Sequence, residues 1–130
     1  MHEIASGGEL SRIMLAIKSI LADEEGIETL IFDEIDTGIS GRTAQKVSER
    51  LACIAKKRQV IAITHLPQIA AMADAHYLIE KTSDSNSTIS NIYLLTEEES
   101  IKELARMLGG VRITDAVLQN AREMRTLAKQ

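Results

Sequence analysis

Two short apolar segments of the chain each end in polar residues that can do chemistry. TLIFD ends in Asp33 and is followed by Glu34, and QVIAITH ends in Thr64 and His65. A carboxylate can hold a divalent cation or accept a proton from water, and an imidazole can contact an anion. Because the carboxyl ends of neighbouring parallel strands meet at one edge of a sheet, we expect these four side chains to lie together.

A third segment, ASGGE at residues 5–9, opens a helix with two glycines that weaken it. Each glycine costs about 1 kcal/mol relative to alanine in a helix interior. A helix N-terminus presents backbone N–H groups, and glycines let a phosphate approach them closely. The Ser6 hydroxyl adds a further donor, so the glycines are explained if this helix start contacts phosphate.

Each of these features also has a purely structural interpretation. An acidic pair after a strand is usually a solvated loop entry, and a single histidine there is more often structural than catalytic. ASGGE can be a capping box, from Ser6 to Glu9, that tolerates glycine. The structural interpretations are much weaker when the three features occur together in one chain.

Hydrophobic periodicity predicts the elements that position these residues. Helices are expected over 8–22, 42–57, 67–73, 97–109 and 114–128, and strands over 29–33, 59–65, 76–81 and 88–95. Continuous apolar strands in the order strand, helix, strand predict an α/β fold with a βαβ unit and a buried parallel sheet. The last two strands are expected to form a hairpin or adjacent antiparallel strands.

Composition sets broad limits on the class of protein. The 130 residues, 45% hydrophobic and 26% charged, are expected to form one domain, 1–130, or a piece of one. A net charge of −4 argues against a DNA-wrapping surface, which needs clustered Lys and Arg. Apolar runs are too short for a membrane span and no signal peptide is evident, so a cytoplasmic protein without a membrane partner is expected. The single cysteine, Cys53, excludes an internal disulfide and is expected to be buried.

Four motifs, in this order and spacing, resemble the second half of an ABC-type ATPase head. ASGGE resembles the family signature LSGGQ, and TLIFDE resembles the Walker B strand with its following glutamate. DTGISG lies where the family has its D-loop, and ITH lies where it has its switch histidine. The complete sequences of the segments FDEIDTGISG and ITHLPQIAAMAD resemble the DNA repair branch of the SMC-like family. The resemblance implies the C-terminal lobe of a P-loop NTPase head, with helices packed on the sheet and a C-terminal β-hairpin plus two helices.

The same resemblance implies a role for each strand-end residue in ATP hydrolysis. Asp33 would help to hold Mg²⁺, directly or through water, and Glu34 would polarise the attacking water as general base. His65 would contact the γ-phosphate of ATP. The implied reaction is therefore phosphoryl transfer from ATP to water, as part of the recombinational repair of DNA double-strand breaks.

Other implied contacts are made across a dimer of two heads. The signature would close over ATP held by the opposite head, and the D-loop would link the two sites. The residues implied to contact the nucleotide in this way are Ser6, Gly7, Gly8, Glu9, Asp36 and Ser40. Ala5 and Glu9 depart from the usual leucine and glutamine of the signature.

The family's phosphate-binding Walker A motif does not occur in the sequence. We therefore expect a C-terminal piece of a longer protein, inactive alone, with an exposed apolar face where the other lobe is missing. Its implied partners are its own Walker A lobe, a second head and, at the nucleoid, DNA. Two alternatives stay open: a non-catalytic interaction module with the shape of an ABC lobe, and a head of another SMC-like ATPase. The intact Glu34 argues against the first alternative.

Overall fold

The computed structural model describes residues 7–130, with side chains for all of them except residues 7, 8 and 11. The chain divides into two compact units, the first ending at Met72 and the second spanning Ala73–Gln130. The first unit contains α1 (Gly7–Glu25), β1 (Thr29–Asp33), α2 (Gly41–Ala55), β2 (Gln59–Ile63) and α3 (Pro67–Ala71). The second contains β3 (Tyr77–Asp84), β4 (Ser87–Leu94), α4 (Glu97–Gly109) and α5 (Asp115–Ala128). The predicted element types and their order are confirmed, and no end of an element differs from its predicted position by more than three residues.

A parallel pair of strands forms the sheet of the first unit. β1 and β2 pair in register from Thr29 opposite Gln59 to Asp33 opposite Ile63. Successive side chains of a strand point to opposite faces of the sheet, so Leu30 and Phe32 both point into a core that α1, α2 and α3 cover. The other buried members of this core are Leu15, Ala22, Ile35, Ile39, Ala44, Val47, Leu51, Ile54 and Ile69. The predicted βαβ unit is therefore present, with an aliphatic core.

The opposite face of this sheet is open, and the prediction of a buried sheet is wrong on that side. Ile31, Ile61 and Ile63 keep 56%, 44% and 43% of their surface exposed. A parallel sheet normally has a layer on each face, and the described residues supply only one. The expected exposed apolar face is confirmed here.

Helix α1 packs on the core with the smaller of its two apolar faces. Among the side chains of α1 that the structure describes, Leu15, Ser19 and Ala22 are buried. The broader apolar stripe has residues that are 44–60% exposed, namely Leu10, Ile13, Met14, Ile17, Ile20 and Leu21. The helix thus presents a second apolar surface to its surroundings.

The outer edge of β1 is occupied by a lysine. The Glu34 N–H donates to the Ile63 carbonyl of β2, and because strand bonds alternate in direction, the carbonyl of Ile31 points away from β2. The Lys18 ammonium donates to that carbonyl at 3.0 Å and lies 5.2 Å from the centre of the Phe32 ring. The edge carbonyl is therefore paired with a charged donor from α1.

Cys53 is exposed, so the prediction that it is buried is wrong. The buried face of α2 consists of Ala44, Val47, Ser48, Leu51 and Ile54. With about 100° of rotation per helical residue, Cys53 falls outside the stripe that these residues form.

The second unit consists of a hairpin and a helix pair. β3 and β4 are antiparallel, from Tyr77 opposite Leu94 to Asp84 opposite Ser87, which confirms the predicted hairpin. Helix α4 begins with the predicted capping box, in which Thr96 and Glu99 bond reciprocally to each other's backbone. The predicted Thr114 cap of α5 is also present.

A buried arginine joins the parts of the second unit. Arg125 is only 4% exposed and donates to the Ala73 carbonyl and, through Nε at 3.2 Å, to the Glu97 carboxylate. Nearby, the His76 Nδ1 lies 2.7 Å from the hydroxyl of Ser100. Burial, and secondarily the charge of Arg125, lower the pKa of His76. Within residues 7–130, no helix is long and apolar enough to span a membrane.

Candidate functional site

The polar ends of β1 and β2 lie side by side, as the sequence predicts. Asp33 is opposite Ile63 in the register, and the N–H of Glu34 donates to the Ile63 carbonyl at 3.2 Å. The next residues of the second strand are Thr64 and His65. Two carboxylates, a hydroxyl and an imidazole are thus brought to the carboxyl edge of one parallel sheet, where α/β proteins bind ligands.

Glu34 has an unusual backbone conformation. Its φ is +53°, and it is the one non-glycine residue with positive φ in the described part of the chain. Its carbonyl accepts from the backbone N–H of Thr37 at 3.2 Å and from the Thr37 hydroxyl at 2.9 Å. For an L-residue, this left-handed conformation costs roughly 1–2 kcal/mol, and such strain is concentrated at functional sites. The turn therefore fixes the backbone of an exposed glutamate immediately after the strand.

Asp36 is fully buried and contacts the turn that follows β2. Its Oδ2 accepts hydrogen bonds from the Thr64 hydroxyl and from the His65 backbone N–H at 2.9 Å, and the His65 Nδ1 lies 3.1 Å from the same oxygen. The Thr64 hydroxyl in turn accepts from the Leu66 N–H at 3.0 Å. The His65 side chain is 71% exposed, so its ring contacts Asp36 on one side and is open on the other.

This anchoring by Asp36 was missed in the sequence, where its expected role is a nucleotide contact in the D-loop. That contact stays a prediction. The signal for burial was the spacing of Ile35 and Ile39, which are 5% and 7% exposed and return the loop to the core on both sides of Asp36.

The other candidate residues lie at helix starts. Gly7 and Gly8 open α1, with Glu9 in its first turn, while Ser6 and its part in a capping box lie outside the described residues. Ser40 is exposed at the N-terminus of α2, and its side chain makes no capping bond. Their expected contacts with nucleotide stay predictions.

A groove of about 200 Å³ lies beside the two carboxylates. It is lined by residues of α1 and of the end of β1, namely Leu10, Met14, Lys18, Phe32, Asp33, Glu34 and Ile35. A larger groove of about 550 Å³ lies at the opposite, amino end of the strands, around Thr29 and Gln59. Because ligands of open α/β sheets bind at the carboxyl end, the smaller groove belongs to the candidate site.

The acidic residues can contribute to a magnesium site without completing one. No group of three or more His, Cys, Asp or Glu side chains suited to a metal occurs in the described part of the chain. Mg²⁺ is usually bound by one or two carboxylates together with substrate phosphates and water. The exposed Asp33, next to Glu34, fits that requirement.

Solved structures of SMC ATPases share the fold of this chain. One, from work on the ATP-driven dimerization and DNA-stimulated activation of SMC ATPases, aligns with 83% of this chain and 65% of its own, with a TM-score of 0.63 and 23% identity. An Smc head domain with a coiled coil and joint from Pyrococcus yayanosii aligns with 78% of this chain and 19% of its own, with a TM-score of 0.63 and 25% identity. The chain thus has the fold of SMC ATPase heads, within the P-loop NTPases.

In sequence, the chain resembles the DNA repair protein RecN. It is 45% identical to RecN of Halalkalibacterium halodurans over 98% of its length, and 45% identical to RecN of Bacillus subtilis over 100%. RecN of Rickettsia conorii is 50% identical over 95% of the chain. The chain spans about 23% of the length of these relatives. No protein-family model matches it.

Proposed function

We propose that the chain is part of the ATP-hydrolysing head of a RecN-like protein that acts in recombinational repair of DNA double-strand breaks. The observation that carries the proposal is the meeting of Asp33, Glu34 and His65 at the carboxyl edge of a parallel sheet, with Glu34 held in a strained turn. The similarity to RecN and the fold of SMC heads support the same assignment.

The strand-end residues divide the chemistry among them. Bound Mg²⁺ and the enclosing protein would neutralise charge on the phosphates of ATP. Asp33 would hold the cation directly or through water, and Glu34 would take the proton from the attacking water. The exposed ring of His65 would contact the terminal phosphate.

The remaining residues would act on the nucleotide of a second head. Ser6, Gly7, Gly8 and Glu9 would close over phosphates bound opposite, with the backbone N–H groups at the start of α1 as donors. Ser40 and the loop from Asp36 would link the two nucleotides. This arrangement agrees with the ATP-driven dimerization studied for the structurally similar SMC ATPases.

The open face of the sheet is the proposed docking surface for a Walker A lobe. Ile31, Ile61 and Ile63 form an apolar layer that a parallel sheet normally buries. RecN relatives are about four times as long as this chain, which covers about 23% of them.

The completed head would work on DNA, in the cytoplasm at the nucleoid.

The test is ATP hydrolysis by the 130-residue chain alone and after addition of a separately produced Walker A lobe of a RecN relative. Activity is expected only in the mixture. Glu34→Gln should lower kcat about 10²–10⁴-fold, because it removes the general base. The matched control is Glu24→Gln, which changes an exposed glutamate at the far end of α1 and should leave kcat unchanged.

Each other outcome contradicts a defined part of the proposal. Activity of the chain alone would show that phosphates bind without a Walker A lobe. Full activity of the Glu34→Gln variant would exclude Glu34 as the base. A mixture that assembles but never hydrolyses ATP would favour a non-catalytic interaction module.

A further inference from the structure

Asp36 stands out as a carboxylate with no exposed surface at the base of the candidate site. We propose that Asp36 is a positioning residue, whose Oδ2 fixes the ring orientation and the tautomer of His65. The effect on catalysis rests on the ATPase function proposed above. The effect on the His65 ring does not, and it can be measured separately.

The contact between Asp36 and the His65 ring favours one position for the ring proton. Oδ2 already accepts hydrogen bonds from Thr64 and from the His65 backbone, and Nδ1 lies 3.1 Å from it, so a proton on Nδ1 avoids a contact between two lone pairs. The same Oδ2 holds the backbone N–H of His65 at 2.9 Å. One oxygen atom thus contacts both the main chain and the ring of His65. In the neutral ring, Nε2 is then the nitrogen left to face a ligand.

Packing alone does not explain an aspartate at this position. Burying a carboxylate is costly unless hydrogen bonds compensate for the lost water, and an apolar residue would fill the space without that cost. The hydrogen bonds that Oδ2 accepts come from Thr64 and His65, and Oδ1 has no hydrogen-bond partner among the described residues. The carboxylate is therefore committed to the turn that carries the histidine.

The same contact ties the proposed base to the proposed phosphate contact. Asp36 is two residues beyond Glu34, in a loop that the Thr37 bonds to the Glu34 carbonyl hold closed. Thr64 extends the network to Leu66, at the N-terminus of α3. A change at Asp36 is therefore expected to disturb His65 and leave the β1–β2 pairing intact.

The direct test is the tautomer of His65 in the ¹⁵N-labelled 130-residue chain. Long-range ¹H–¹⁵N spectra at mildly alkaline pH distinguish Nδ1–H from Nε2–H, and loss of signals in His65→Gln assigns them. The Nδ1–H form is expected to dominate in the unmodified chain. Its fraction should fall in Asp36→Asn, since a neutral acceptor binds about half as strongly, and fall further in Asp36→Ala, which has no acceptor. Asp74→Asn, at an exposed aspartate, should change nothing.

These spectra can overturn the proposal whatever the ATPase result. A dominant Nε2–H form in the unmodified chain would exclude it, and so would an unchanged tautomer in the Asp36 variants. If Asp36→Ala does not fold, the unmodified chain and the isosteric Asp36→Asn decide the question.

The catalytic arm uses the mixture with the Walker A lobe. Asp36→Asn should lower kcat about 10–100-fold, the size of effect known for residues that orient metal-bound histidines, with little change in KM for ATP. A tautomer that responds while kcat does not would contradict the catalytic role. If the unmodified mixture does not hydrolyse ATP, the proposed function fails, while the spectra still test the contact between Asp36 and His65.

Discussion

The backbone N–H of Glu34 donates to the carbonyl of Ile63 at 3.2 Å, one residue beyond the last pair of the parallel sheet. The strand pairing therefore continues into a residue whose φ is +53°. The position of the carboxylate is set by the sheet, and its direction is set by a turn that most residues adopt only at a cost. Stability does not explain a glutamate here, because glycine adopts this backbone conformation without strain.

The strain at residue 34 can be measured by substitution. Glu34→Gly should be more stable than Glu34→Ala by about 1 kcal/mol, because glycine adopts positive φ without the Cβ clash. Urea unfolding followed by circular dichroism gives the difference. Equal stability of the two variants would show that the left-handed backbone is not retained in solution.

The two arginines of α5 should differ in their contributions to stability. Arg125→Ala is expected to cost about 2 kcal/mol, because it removes hydrogen bonds that a buried cation makes to Glu97 and to the Ala73 carbonyl. Arg122 makes an exposed pair with Glu98 at 3.5 Å, so Arg122→Ala should cost less than about 1 kcal/mol. Equal losses in urea unfolding would contradict the burial of Arg125.

Stability should fall in mildly acidic solution because of His76. Burial and the charge of Arg125 lower its pKa in the folded chain below the ordinary 6.5, so the unfolded chain binds the proton first. The contribution of His76 is therefore complete above about pH 6.5 and is lost as the pH falls toward the folded pKa. Thermal unfolding across this range should show a smaller decline for His76→Gln, which can still bond to Ser100. An equal decline would mean that His76 titrates normally.

Truncation of two neighbouring residues of β1 should reduce stability to very different extents. Leu30→Ala, at a side chain 6% exposed, should cost about 2–5 kcal/mol through the lost core contacts. Ile31→Ala, at a side chain 56% exposed, should cost less than about 1 kcal/mol but weaken association with the Walker A lobe. Urea unfolding and a binding titration measure the two effects. A large loss of stability in Ile31→Ala would show that this face is already covered.

The thiol of Cys53 should react in the folded chain. A thiol reagent is expected to modify one cysteine per chain without denaturant, because the Cys53 side chain is exposed on α2. The Cys53→Ser variant supplies the blank. Reaction only in denaturant would restore the buried interpretation drawn from the sequence.

Local signals in the sequence predicted the elements well. The caps at Thr96 and Thr114 fix helix starts through bonds to residues three positions on, so their patterns suffice. The convergence of Asp33 and His65 was predictable because it follows from strand order and the geometry of a parallel sheet.

Other features depend on contacts that local patterns do not encode. Asp36 occupies a polar loop sequence and is buried only because Ile35 and Ile39 both return to the core. Cys53 has apolar neighbours, yet the rotation of α2 places it outside the buried stripe. Whether Ile61 is covered depends on what lies over the sheet, which the described residues do not supply.

The contact of Lys18 with the Ile31 carbonyl makes the two edges of the small sheet unequal: the edge of β1 is blocked and the edge of β2 is available for pairing. A strand that added beside β1 would have to displace an ammonium group that holds the edge carbonyl and lies over the Phe32 ring. Lysines at strand edges discourage such pairing. Among the described residues, β1 is the one strand that pairs with β2. The backbone N–H and C=O groups on the far edge of β2 can therefore pair with an additional strand. In a larger assembly, further strands are thus expected to pair with β2, the strand that leads to His65, and β1 with its Lys18 contact is expected to remain the edge of the sheet.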